Sequence, residues 1–187
     1  MTRIAIIIGS TRPGRKAEAV ANWVLDIARK RSDAEYEVVD IAKYNLPHLD
    51  EPMPPAMGQY SKPHTYAWAA TIESFDGFVF VTPEYNHSTS GALKNAIDFL
   101  FKEWNNKAAA FVSYGSAGGA RAVEHLRLVM GELMVATVRA QVMLSLHTDF
   151  EAFTNFKPHA HHEKGVNTML DQVVSWAGAL KTVRKSA

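Results

Sequence analysis

Three short stretches carry the residue types that could do chemistry. The first is Gly9-Ser10-Thr11-Arg12-Pro13-Gly14-Arg15-Lys16, which leaves an apolar run and enters a helical pattern. A helix N-terminus offers free N–H groups and partial positive charge, so such a turn suits a phosphate. Ser10 and Thr11 add hydroxyls, and Arg12, Arg15 and Lys16 add cations. The alternative is an ordinary strand–helix turn with solvated basic residues. A dinucleotide fingerprint fails because residue 11 is Thr where Gly is needed. A triphosphate loop fails because no hydroxyl residue follows Lys16.

The second stretch is Thr82-Pro83-Glu84-Tyr85-Asn86-His87-Ser88-Thr89-Ser90-Gly91, a polar turn that can present backbone N–H groups and an aromatic ring to a flat heterocycle. His87 reads as polar lining rather than as a general base. Lys94, Asn95 and Asp98 follow within one helical turn and read as caps or subunit contacts. The third is Ser113-Tyr114-Gly115-Ser116-Ala117-Gly118-Gly119-Ala120-Arg121, where glycines after a buried strand let backbone approach a ligand closely.

Elements of alternating type must hold these loops. Arg3 to Ile8, Glu35 to Asp40, Gly77 to Thr82, Ala108 to Ser113 and Val138 to Leu146 read as strands. Lys16 to Lys30, His64 to Ser74, Gly91 to Phe101, Gly119 to Met134 and Val166 to Val183 read as helices with one apolar face. Residues 41–63 hold five of the eight prolines and read as a long ordered loop or lid. The pattern predicts an α/β chain, a three-layer flavodoxin-like fold with a five-stranded parallel sheet in order 2-1-3-4-5 and helices on both faces. In such a sheet ligands sit at the carboxyl ends of the strands, beside the switch point between strands 1 and 3. Residues 1–187 read as one domain.

Composition narrows the chemistry. There is no cysteine, so thiolate catalysis, disulfides and Cys-based metal sites are out, and redox chemistry would need a bound cofactor. The formal net charge is +1 with both signs interspersed, which argues against a nucleic-acid groove. No apolar run reaches the ~20 residues of a membrane helix, and no signal-type start is present, so the expected location is the cytoplasm. His159, His161 and His162 cluster in sequence, but Ala160 breaks their spacing and they read as solvated; no metal is expected.

Gly9-Ser10-Thr11-Arg12, Thr82-Pro83-Glu84-Tyr85-Asn86, Leu93-Lys94-Asn95-Ala96-Ile97-Asp98 and Gly118-Gly119-Ala120-Arg121 together resemble the NADPH-dependent FMN reductase family over roughly residues 3–146. That family includes quinone reductases, azoreductase-like enzymes and chromate-reducing flavoproteins. The resemblance implies tightly bound FMN, with its phosphate held through Ser10, Arg12, Arg15, Lys16 and Ala17. The isoalloxazine would lie against Pro83, Glu84, Tyr85 and Asn86 and against Ser113, Tyr114, Gly115 and Gly118. It further implies NADPH or NADH as donor, ping-pong transfer of two electrons to a quinone, azo compound, free flavin or similar small acceptor, and a dimer or dimer of dimers. Arg121 and Lys94 could then serve the subunit interface. Many relatives carry Ser where this chain has Arg15, which leaves the role of Arg15 open. No protein acid or base is obligatory, so no residue is assigned to catalysis. Tyr85, Tyr114 and the loop with Met53, Met57 and Tyr60 could wall the acceptor pocket. The alternatives are a one-electron carrier of the same fold, disfavoured by the near-neutral charge, and a flavin-binding protein without turnover.

Overall fold

The apolar runs become strands β1 (Thr2–Ile8), β2 (Ala34–Asp40), β3 (Gly77–Pro83), β4 (Ala108–Gly115) and β5 (Ala136–Ser145). All neighbours pair in parallel, in the order β2-β1-β3-β4-β5. The computed structural model describes residues 1–185, so the last two residues of the expected 1–187 unit lie outside the described residues. β3 and β4 are buried throughout, as continuous apolar runs demand of central parallel strands.

Helices α1 (Ala17–Ala28) and α5 (His161–Lys185) cover one face of the sheet, while α2 (Pro63–Glu73), α3 (Gly91–Asp98) and α4 (Ala120–Glu132) cover the other. β1 serves both cores by alternation: Ile4, Ile6 and Ile8 face α1 and α5, and Ala5 and Ile7 face α2 to α4. The first turn after β1 is packed hard. A Cβ at Gly9 would lie 2.7 Å from the Val81 carbonyl oxygen and 2.8 Å from Leu93. Ser90, the N-cap of α3, accepts from the Leu93 N–H and donates to the Gly9 carbonyl at 2.6 Å, so one hydroxyl starts a helix and ties two loops together.

Three parts differ from the sequence pattern. The helix expected over Gly91 to Phe101 stops at Asp98. The indoles of Trp68 and Trp104 donate to the Ala96 and Ile97 carbonyls, which satisfies the helix end from outside and turns Phe99 and Leu100 into the core. Residues 41–63 hold two short 3₁₀ turns, Ile41–Tyr44 and Pro55–Met57. Their loop is pinned by Glu51, which accepts from the Ser61 and Lys62 N–H groups, and by Asn95, which bonds Leu49 and Pro47. Burial would raise the Glu51 carboxyl, but the Thr65 and Ser61 hydroxyls together with these amides hold it down at about 2. Third, a two-stranded hairpin, β6 (Phe150–Glu151) and β7 (Asn155–Phe156), precedes a final helix that begins at His161 rather than Val166. The buried Asp149 fixes that entry by accepting from the Ser145 and His159 N–H groups and pairing with His162 at 2.9 Å.

β5 carries a bulge. Its register against β4 jumps between Ala109 and Phe111, leaving Val138 to Ala140 without partners on β4. Side chains answer the freed backbone: Arg127 donates to the Val138 and Arg139 carbonyls, and Gln172 accepts from the Ala140 N–H.

Candidate functional site

The turns after β1, β3 and β4 converge at the carboxyl end of the sheet, and between them lies a cleft of about 370 Å³ that merges with open solvent. Arg12, Gly14, Arg15 and Lys16 line it from the first turn. Pro83, Glu84 and Tyr85 line it from the second, Tyr114 and Gly115 from the third, and Leu146 from the end of β5. Sequence reasoning did not single out Gly14 or Leu146 for the site. Leu146 enters because its N–H donates to the Gly115 carbonyl, which brings the residue after β5 alongside the third turn.

The cations of the first turn divide. Arg15 is 12% exposed and donates from both terminal nitrogens to Asp40, itself 9% exposed, at 3.0 and 2.7 Å. It also donates to the Ser10 carbonyl at 2.7 Å and pairs with Glu18. Its charge is therefore answered within the protein, and it staples the turn to the end of β2. Arg12 and Lys16 have no ion-pair partner among the described residues. No side chain caps α1, so its first turn begins without a side-chain acceptor, and the amide of the buried Ala17 faces the Tyr114 hydroxyl.

Ser10 is fully buried beneath the turn, with its hydroxyl 3.1 Å from the Tyr85 hydroxyl. Tyr85 and Ser88 exchange backbone hydrogen bonds across Asn86 and His87, both at positive φ. A tight two-residue turn with that twist requires this of both central residues; Asn tolerates it and His is strained by it. Asn86 and His87 are exposed and lie outside the cleft lining. His87 stands 6.1 Å from the His125 ring, and His125 bonds the Ser88 hydroxyl.

Glu84 joins the second and third turns. Its side chain is nearly buried, pairs with Arg121 and accepts from the Arg121 N–H at the start of α4. Burial pushes its carboxyl up, but the guanidinium and the helix amides hold it below the usual carboxylate range. Ser113 points inward rather than into the cleft, donating to the Gly118 carbonyl and accepting from Gln141. Gly118 also stands outside the lining. Gly119 is the tight point of this turn: at φ +75° its Cβ would sit 2.6 Å from Ser113 Cβ.

Tyr114 is 5% exposed and packs on Phe150, with ring centroids 6.1 Å apart. Its hydroxyl is buried, faces the Ala17 amide and makes no well-formed hydrogen bond. Such a group costs about 1–3 kcal/mol. The expected wall of Met53, Met57 and Tyr60 does not form at this cleft. None of the three lines it, and the Tyr60 hydroxyl donates to Glu103 at 2.7 Å on another flank. The three clustered histidines form no metal centre: among the described residues no group of three His, Asp or Glu side chains could hold an ion. No helix among the described residues is long and apolar enough to cross a membrane.

Comparison with known proteins agrees with this arrangement. The profile of the NADPH-dependent FMN reductase family matches residues 2–149. An NAD(P)H-dependent FMN reductase of Nectria sp is 42% identical over 159 residues, covering 80% of this chain and 79% of its own. An NAD(P)H:quinone oxidoreductase of Solanum tuberosum is 38% identical over 132 residues, covering 68% and 66%. Among solved structures, the flavoenzyme NAD(P)H:(acceptor) oxidoreductase FerB of Paracoccus denitrificans superposes with a TM-score of 0.76 at 21% identity, over 96% of this chain and 98% of its own.

Proposed function

The chain belongs to the NADPH-dependent FMN reductase family, and from that premise we propose that it is an oxidoreductase in which FMN bound in the cleft passes two electrons from NAD(P)H to a quinone or similar flat acceptor. The observation that carries this reading is the donor set of the cleft. Two unpaired cations, an uncapped helix start and a buried hydroxyl without a partner surround one small space, and a phosphate monoester is the ligand group that answers all of them. When bound, FMN supplies the redox chemistry that a chain without cysteine lacks.

The residues divide the task of holding it. Arg12 and Lys16 meet the phosphate as charges, with the first N–H groups of α1, while Arg15 keeps the turn in shape through Asp40. Pro83, Glu84 and Tyr85 offer backbone and one ring to a flat heterocycle, with Gly115 leaving space opposite. Glu84, committed to Arg121, holds the two ring-facing turns at fixed separation. The reaction is NAD(P)H plus a proton plus quinone to NAD(P)⁺ plus hydroquinone. Donor and acceptor use one open face in turn, which gives ping-pong kinetics. We further place the protein in the cytoplasm as a homo-oligomer of at least two copies. On α4, Leu128 stands 77% exposed.

The test is an anaerobic absorbance titration of the purified protein with FMN, then NADPH, then a quinone. Retained flavin bands that bleach with NADPH and return with quinone are the expected result. Failure to retain flavin, or retained flavin that NADPH leaves oxidised, overturns it. Parallel double-reciprocal lines check the ping-pong order, and sedimentation velocity checks the assembly.

A further inference from the structure

We propose that the Tyr114 hydroxyl is the donor that distinguishes the phosphorylated flavin from the unphosphorylated one: it is left without a partner in the free protein and is answered only by the phosphate. This inference rests on the reading that the cleft holds FMN.

The ring of Tyr114 has a structural purpose that needs no oxygen. It fills the core beside Phe150 and under α1, and phenylalanine would serve there equally. The oxygen is sealed from water and its proton has no acceptor, an arrangement rare enough in folded proteins to require a reason. Besides burial, the groups that act on it are the Tyr85 phenol, the amide of Ala17, where α1 begins, and the charges of Arg12 and Arg15. Burial pushes the phenol's pKa far up, so it stays protonated and can donate at any physiological pH. A donor set among cations and free amides lacks one thing, an anionic acceptor. Arg12 and Lys16 carry no ion pair among the described residues, so their side chains are free to swing as that acceptor enters. A ribityl hydroxyl could also accept from Tyr114, but it would leave the charges unanswered.

The experiment uses the full chain and Tyr114→Phe, and measures the apoprotein melting temperature and the dissociation constants of FMN and riboflavin by flavin fluorescence. Removing an unpaired buried hydroxyl should leave the apoprotein as stable as before or more stable. The same change should weaken FMN about 10-fold, the ~1.4 kcal/mol of a lost hydrogen bond to an anion, and leave riboflavin unchanged. A lowered apoprotein melting temperature overturns the proposal, because the oxygen would then have a structural partner. Equal weakening of both flavins overturns it too, by moving the contact to the ribityl chain. Unchanged FMN affinity in the variant, with tight binding by the wild type, overturns this inference alone. A wild type that binds neither flavin overturns the cofactor reading and this inference with it.

Discussion

Arg12 and Arg15 are three residues apart in one turn and serve different ends. Arg12 is exposed with its charge uncommitted, so Arg12→Ala should weaken FMN by about 1.5–3 kcal/mol, the worth of a charge-assisted hydrogen bond. Fluorescence titration checks it, and unchanged affinity removes Arg12 from the site. Arg15 is committed to Asp40. Asp40→Ala removes the buried partner of Arg15, leaving it the exposed Glu18 and the Ser10 carbonyl, and should cost about 2 kcal/mol of stability, read from urea unfolding; a loss below about half of one kcal/mol would show that the bridge is idle. The sequence displayed both arginines but not this division, because Asp40 lies 25 residues from Arg15 and joins it only when β2 pairs with β1. Tyr114 was legible as an aromatic beside glycines. Its unpaired hydroxyl was not, since an orphan atom exists only once everything around it is placed.

Among elements, the runs that became strands were legible because a strand buried on both faces needs continuous apolar residues, as in Phe78 to Val81. The end of α3 was not, because two tryptophans from elsewhere in the fold take its last carbonyls. The β6–β7 hairpin was hidden for a similar reason. Its turn places Ala152 and Phe153 at positive φ, where neither residue type announces a turn. The loop 41–63 carries two 3₁₀ turns that its prolines did not announce, and its clasp makes a prediction. The folded Glu51 carboxyl titrates at about 2, below the ordinary carboxylate value, so the clasp's stabilisation is present above that ordinary value and is lost as pH falls toward 2. The protection factors for hydrogen exchange at residues 51–62 should therefore fall between pH 4 and 2, and Glu51→Gln should show the lower protection already at pH 7. Equal protection of this segment across that range would discount the clasp.

For the whole molecule, the end of the sheet away from the cleft is held by buried charge. Lys107 donates to the Ile72 and Glu73 carbonyls at the end of α2, and burial brings its pKa down to about 8. Beside it Asp76 pairs with Lys181 and Arg184 of α5, joining the last helix to the start of β3. Between about pH 8 and 10.4 the unfolded chain holds the lysine proton and the folded chain has released it, so stability rises with pH over that interval. Lys107→Met should flatten that rise relative to wild type in urea unfolding at pH 7.5 and 9.5; identical slopes would show that the ammonium is not desolvated. The bulge in β5 has a consequence of another kind. A bare outer strand is a template on which a further chain can add its own strand, the first step toward fibres. Here the outer strand is broken in register and its freed carbonyls and amide are already taken by Arg127 and Gln172. The opposite outer strand, β2, presents exposed Glu35 and Glu37, each paired with Arg3, and an added strand would have to desolvate these charges. Both open sides are thus closed to sheet extension, so copies of this protein should resist ordered aggregation even when crowded.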